Sequence, residues 1–417
     1  MSRGFVCVSV CALTMAGLFA GAPLAGAEEA PSSADAVPVI QVQEVVTSAT
    51  KMPLPASQVA SAVEVIDGEE IQRKRIKTVI DALRLAQGVF AFSSGGPGAI
   101  ANVRIRGAET KHTLVAIDGV IVNSPTSGAY NFSDLTTDNI ERIEILRGAQ
   151  GMLYGADAVG GVISITTKRG AGKPTASAFV EYGSFATTRE GAQISGSEGS
   201  VDFSASLSRW QTSGFSAVNY KRGAYERDGY RNWQASTRVG VTLPKDGRLE
   251  VNLRWLTADN SIDSASSSGQ FDVFGSKGTN RALMVSGAYA QRITNWWDQK
   301  LTVAQNEEKQ LSYSGTFQRN VQTGAFSVPF ESQTDLDIVN RRVEWQNNFQ
   351  VGKPLLLTAG KSAAWVLQPV GHLFPQARHS ERTLHDVVLV ANLDAGQLQR
   401  SEEHTSELQS RFGISYA

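Results

Sequence analysis

The chain has 417 residues, enough for two or more domains, and carries 39 Lys+Arg against 40 Asp+Glu. Charge so close to balance argues against nucleic acid as a partner, which calls for a basic excess. Gly is abundant at 39 and Cys scarce at 2, which suits a turn-rich β protein and excludes a disulfide scaffold.

The first elements are for targeting. Arg3, the apolar run Phe5 to Leu24 and the small residues Ala25-Gly26-Ala27 read as a signal peptide over residues 1–27. An anchoring helix is the competing reading, but no positive stop-transfer cluster follows. Cys7 and Cys11 both lie in this segment, so the mature chain has no thiolate for a metal site or a nucleophile. No later stretch is long and apolar enough for a spanning helix. The destinations left are the periplasm, the medium or an outer-membrane barrel.

Residues 28–42, rich in Ala, Pro and Ser, read as a flexible periplasmic linker. Glu44-Val45-Val46-Thr47-Ser48 is a short β-prone patch ahead of Pro53 and Pro55, within a segment 43–51. Ser61 to Asp67 alternates toward a strand. Thr78 then caps a helix over Val79 to Ala86, with Asp81 in the place of the capping-box acid and Gly88 as its stop. Ser93 to Gly98 and Asn123 to Asp134 are polar loops. Val103 to Gly107 and Thr113 to Gly119 are strands ending in turns. Ile140 to Gly170 is a charged alternating strand, a glycine-dense turn and a second apolar strand. Residues 52–172 therefore form a compact α+β domain.

Beyond Pro174 the period changes to two. Val201 to Leu207, Trp233 to Leu243, Leu249 to Trp255 and Val343 to Phe349 alternate apolar and polar residues. Short turns (197–200, 244–248, 295–298, 352–354) alternate with long polar loops (213–229, 260–279, 316–333). An outer-membrane barrel has this asymmetry and a soluble sandwich has no reason for it. The polar face carries Arg238 and Arg254, as a wet lumen would.

No catalytic constellation emerges, so no enzyme is expected. The glycines from Gly155 to Gly161 do not fit a dinucleotide fingerprint, and four of the five histidines are scattered over the last quarter without ligand spacing. Glu141, Glu144 and Arg147 alternate with apolar residues. In a soluble protein that is a half-exposed strand. Inside a barrel it is a face that needs charged partners on the lumen wall, because an unpaired buried charge costs several kcal/mol.

Three stretches carry a resemblance: Asn102 to Gly107 (Asn-Val-Arg-Ile-Arg-Gly), Leu114 to Gly119 (Leu-Val-Ala-Ile-Asp-Gly), and Ile140 to Gly170. Together they resemble TonB-dependent outer-membrane receptors over about residues 43 to 360. The resemblance implies a mainly β fold, with an N-terminal α+β plug domain inside a 22-stranded antiparallel transmembrane β-barrel. It implies uptake of a scarce ligand energised by TonB with ExbB and ExbD, with no cofactor required. Glu44, Val45, Val46, Thr47 and Ser48 resemble the TonB box, which pairs with TonB as an added strand; an ordinary first plug strand is the plainer reading. Arg106 and Arg147 resemble plug arginines that lock onto barrel glutamates, with Glu141 and Glu144 beside them. Ser93, Ser94, Asn123, Ser124, Tyr130 and Asn131, on the two plug loops, would face the ligand.

Within the family the likeness is greatest to cobalamin receptors, with ferric-siderophore receptors as the alternative. Glu226, Asp228, Asp259 and Asp263 resemble acidic loop positions that bind calcium there, against the plainer reading of solvated loop acids. A signal-transducing receptor would carry a further folded domain before the box, and a passive porin would lack the plug. Residues 173–399 have room for about ten strands, the first part of the barrel. An open sheet leaves unpaired backbone groups in hydrocarbon, so this length alone is not expected to insert as a stable monomer. Lys361 to Thr383 loses the period, as an outer loop or a shifted reading frame would. Residues 400–417 resemble a translated sequencing adapter and read as a non-native tail.

Overall fold

In a computed structural model of the chain, the structure describes residues 45–48, 51, 53–56, 59, 61–216, 227–261, 271–274, 276–313, 317–320, 323, 325–327, 333–351, 355–367 and 382–393. The expected signal peptide, linker and non-native tail lie outside these residues, as does Glu44.

Two short strands, β1 (Val45–Val46) and β2 (Leu54–Pro55), pair antiparallel at the start. β3 (Ala62–Asp67) leads into α1 (Gly68–Arg73), whose first turn is capped by the Asp67 carboxylate accepting the Glu69 N–H at 2.7 Å. α2 (Val79–Leu83) starts at Thr78, as its sequence predicts. The Thr78 hydroxyl accepts the Asp81 N–H at 3.3 Å and donates to the Asp81 carboxylate at 2.6 Å. Val79, Ile80, Ala82 and Leu83 are buried, so packing rather than propensity sustains so short a helix.

β4 (Val89–Ser93) and β5 (Ala101–Ile105) form a hairpin across the first polar loop. Then come β6 (Thr113–Ile117), β7 (Val120–Ile121), β8 (Ile140–Arg147), α3 (Gly151–Tyr154) and β9 (Gly161–Thr167). A five-stranded sheet runs β3-β8-β9-β6-β7, antiparallel except for the parallel β6–β9 pair. Its main core gathers Leu83, Ile105, Ile117, Phe132, Leu135, Ile143, Ile145, Ile163 and Ile165. β8 is covered on both faces: Ile143 and Ile145 enter this core, while Glu144 and Leu146 are equally buried on the other side.

The rest is wall. β10 (Thr175–Gly183), β11 (Thr187–Glu198), β12 (Val201–Thr212), β13 (Tyr230–Leu243), β14 (Gly247–Ser261), β15 (Phe271–Phe274), β16 (Lys277–Thr294), β17 (Trp297–Tyr313), β18 (Phe317–Asn320), β19 (Phe326–Ser327), β20 (Gln333–Val351), β21 (Leu355–Leu367) and β22 (Arg382–Leu393) follow in order. Ten of them form one antiparallel sheet, β10-β11-β12-β13-β14-β16-β17-β20-β21-β22. β15, β18 and β19 form a three-stranded sheet within the long connections. Short and long connections alternate from β11 onward, as the sequence predicts.

The wall is apolar outside and polar inside. On β14, Leu249, Val251, Leu253 and Trp255 are exposed while Glu250 and Asn252 are buried. On β13, Asn232, Gln234, Ser236 and Arg238 are buried toward the plug. A soluble sandwich has the opposite polarity; a lipid-facing barrel has this one.

One expectation is corrected. Lys361 to Leu367 is neither loop nor irregular: it completes β21 and pairs with β20 from Trp345↔Lys361 to Val339↔Leu367. The period is hidden because the inward positions Ser362 and Ala364 are small, and Ala364 reads as apolar although it faces the buried side. Thr383 lies in β22, and residues 368–381 lie outside the described ones.

Candidate functional site

The plug is seated on the wall by buried charge. Asp118, at the end of β6, has its carboxylate aligned by the Thr167 N–H and hydroxyl, both at 2.9 Å. Arg238 of β13 donates to that carboxylate at 3.2 Å, to the Thr167 carbonyl at 2.7 Å and to Glu250 of β14 at 2.9 Å. The Asp118 and Arg238 side chains are each 4% exposed. Arg169 reaches Glu250 from the plug side at 3.4 Å, and burial lowers its affinity for its proton. A second contact joins Asp138 to Arg189 of β11 at 2.8 Å, with Lys77 and Arg189 both on Glu181 of β10. Neutral bonds fill in: Asn139 to the Ser236 hydroxyl at 2.7 Å, and the Ser204 hydroxyl to the Lys168 carbonyl at 2.6 Å.

The residues expected to form the lock sit elsewhere. Arg147 pairs with Glu64 inside the plug, across the β3–β8 pair. Arg106 is exposed, at φ 50, and makes no ion pair among the described residues. Glu141 pairs with Arg142 at 3.1 Å, its neighbour on the same strand. The seat thus carries both polarities: plug carboxylates Asp118 and Asp138 meet wall arginines, while Lys77 and Arg169 of the plug meet wall glutamates. The sequence signal that was missed is Asp118, a charge ending the wholly buried strand Thr113 to Ile117.

Glu144 turns inward onto the N-terminal segment. It is fully buried, and its Oε2 accepts the backbone N–H groups of Thr47 at 3.0 Å and Ser48 at 2.7 Å. Arg142 braces Oε1 at 2.7 Å and donates to the Thr47 hydroxyl at 3.2 Å. The Tyr154 hydroxyl donates to the Ser48 carbonyl at 2.7 Å. Burial, with Glu344 and Glu144 nearby, raises the Tyr154 phenol far above its ordinary value, so it stays a donor. Lys51 ends the segment, paired at 2.6 Å with Glu344 of β20 and lying 5.0 Å over the Tyr154 ring. The expected box residues Val45 to Ser48 are therefore docked, with Val46 and Ser48 buried and Val45 45% exposed.

At the long-loop end, the plug loops line an open vestibule. Asn102, Arg104, Lys111, Ser124, Tyr130, Asn131, Glu308 and Gln310 are among its walls. Of the residues expected to face a ligand, Ser124, Tyr130 and Asn131 do reach it. Asn123 instead staples its loop, bonding Thr113, Val115 and Gly128 of the backbone. Ser93 and Ser94 bond within their own loop, to the carbonyls of Gly95 and Ile100. That loop is held against the wall at Gly98, whose carbonyl accepts from Asn260. Gly98 has φ +83, and a Cβ there would run into the Tyr230 ring, so only glycine lets the loop tip approach.

Below the vestibule, Asp134 accepts from the Tyr230 hydroxyl at 3.0 Å and from Asn280 at 2.9 Å. Burial pushes its carboxyl above the usual range, and the bonds from Asn280 and Tyr230 only partly offset this. A raised folded-state value means stability that is full below the unfolded value and is lost as pH rises through the folded one. Thermal midpoints of the receptor and of Asp134→Asn should therefore diverge in slope as pH rises above the ordinary carboxylate range, with the variant flatter. Parallel slopes would rule out Asp134 as the titrating group.

Of the four acidic residues expected to bind calcium, the structure describes two, Asp228 and Asp259. Glu226 and Asp263 lie outside the described residues. Asp228 is buried, and Asp259 is committed to Arg231 at 2.8 Å. Among the described residues no group of three His, Cys, Asp or Glu is placed to hold a metal, and a guanidinium beside Asp259 does not suit a cation site.

Residues 55–162 match the family model of the TonB-dependent receptor plug domain. Over this stretch the chain is a plug domain of the TonB-dependent receptor type. The chain is 27% identical over 340 residues to the vitamin B12 transporter BtuB of Photobacterium profundum, covering 81% of this chain and 52% of that protein. It is 39% identical over 123 residues to the vitamin B12 transporter BtuB of Vibrio vulnificus, covering 30% and 20%. The chain thus spans about half the length of the first relative. Among solved structures it resembles the siderophore receptor PirA of Acinetobacter baumannii, at TM-score 0.55 and 20% identity over 74% of this chain and 48% of that one. It also resembles the ferric-catecholate import receptor Fiu of E. coli K12, at TM-score 0.56 and 14% identity over 82% and 67%. At these identities the structures speak for the fold.

Proposed function

We propose that the receptor to which this chain belongs carries cobalamin across the outer membrane, energised by TonB together with ExbB and ExbD. The observation that carries the transport reading is a docked N-terminal segment beneath a plug that lies against a wall apolar outside and polar inside. Lipid meets Leu253 and Trp255, the plug blocks free diffusion, and the segment offers the inner side something to pull. The work is binding and conformational change, not bond chemistry.

The vestibule supports the ligand class. Its charges balance, with Arg104 and Lys111 against Glu109 and Glu308, and the remainder is amide, hydroxyl and apolar surface. Cobalamin, a large ligand ringed with carboxamides, suits such a lining. Ferric tris-catecholate siderophores carry net negative charge and favour a basic site. Calorimetric titration of the complete receptor with cobalamin, with and without calcium, tests this. A saturable heat at micromolar cobalamin is expected. No heat there would move the ligand to the ferric siderophores.

A further inference from the structure

Glu144 accepts two consecutive N–H groups, those of Thr47 and Ser48, on a single oxygen. In an extended strand successive N–H groups point to opposite sides, so one oxygen cannot reach both. The backbone at Thr47 and Ser48 is bent accordingly, directly after the two strand residues Val45 and Val46. Two adjacent N–H groups converging on an anion form a concavity of the kind that binds phosphates and carboxylates. Here the anion belongs to the plug itself. It is fully buried, braced by Arg142 at 2.7 Å, and the outgoing Ser48 carbonyl is held by Tyr154.

A segment recognised by strand addition must present its N–H and carbonyl groups in extended form. The bent, docked form and the paired form therefore exclude one another. We propose that Glu144, with Arg142 and Tyr154, is an intramolecular cradle that keeps Thr47 and Ser48 out of strand conformation and so sets how much of the segment is free to bind TonB. The proposal rests on the TonB-dependent reading above. Its consequence is quantitative: the apparent affinity of TonB is the intrinsic affinity reduced by the fraction of receptor whose segment has left the cradle. Glu144 belongs to this release step and is neither a wall contact nor a ligand contact.

The test uses the complete receptor, with any other cysteine replaced by serine, and a nitroxide at Val45→Cys, a half-exposed position. Without further change the spectrum should be dominated by the immobile form. Glu144→Ala should raise the mobile-to-immobile ratio by roughly tenfold or more, the factor carried by hydrogen bonds to a charged acceptor. Purified TonB should bind that variant tighter by the same factor until release is complete. Glu144→Gln, which keeps one carbonyl oxygen, should lie between. Tyr154→Phe removes one hydroxyl at constant shape and should mobilise the label a few-fold. Should Glu144→Ala fail to assemble, these two milder variants carry the test. An immobile label in assembled variants overturns the cradle. A mobilised label with no change in TonB binding leaves the cradle standing and overturns the partner reading.

Discussion

Deleting Glu44 to Ser48 from the complete receptor should reduce energised uptake to the level of cells without the receptor, while ligand still binds at the surface. The structure makes that separation physical. Val45 to Ser48 are tied to the plug through the backbone of Thr47 and Ser48 and by the short β1–β2 pair. Val46 is the one apolar side chain of the segment that is buried, and it lies outside the main core. Its loss should cost about 1.5–3 kcal/mol, too little to unfold a plug with so large a core. The vestibule lies at the other end, lined by different residues. Uptake of labelled ligand by whole cells, set against binding to isolated outer membranes, reads the two properties apart. Unchanged uptake would sink the assignment of the segment.

The second large effect concerns the seat. Replacing Arg238 by Ala leaves the buried Asp118 carboxylate without a cation among the described residues, and leaves Glu250 only its longer contacts to Arg169 and Arg248, both at 3.4 Å. Breaking a buried pair from one side costs about 3–5 kcal/mol, because the remaining charge stays desolvated. Asp118→Asn should cost less. Arg238 keeps Glu250 at 2.9 Å and the Thr167 carbonyl, and the amide oxygen can still accept from Thr167. The order, Arg238→Ala worse than Asp118→Asn, follows from which change leaves charge unpaired. Urea titration of plug release, followed by protease cleavage of the freed plug, measures both. The double variant should cost less than the sum, since the side chains touch. Additive costs would mean that the pair does not couple plug to wall.

Much of this was legible in the chain because period and turn chemistry are local signals. Leu249 to Trp255 announces a two-faced strand, and Thr78 with Asp81 announces a helix start; both features are present. What was not legible is pairing over distance. Nothing near Asp118 names Arg238, 120 positions away, and nothing near Glu144 names the N–H groups of Thr47 and Ser48. The arginines drew attention because they stand beside glycines in recognisable stretches, yet Arg147 finds Glu64 on the adjacent strand. Burial also misled: Glu144 lies on a charged-looking face yet is itself fully covered, because the N-terminal segment folds back over it. Alternation shows that a strand has two faces, but not what lies against each.

The apolar-out, polar-in wall has a consequence for how such chains can change length. Along β14 the odd positions answer to lipid and the even positions to the plug. Adding or losing one residue within the strand exchanges the two sets beyond that point, placing Glu250 or Arg254 in hydrocarbon and Leu253 against the plug. A change of two residues restores the phase. Within the spans, viable length changes should come in pairs. In the long connections, such as 213–229, any number will do. Among the described residues, the one irregular register in the wall, between Arg292 and Thr294, sits next to the tight turn at 295–296. There the phase can slip without carrying a charge into the membrane.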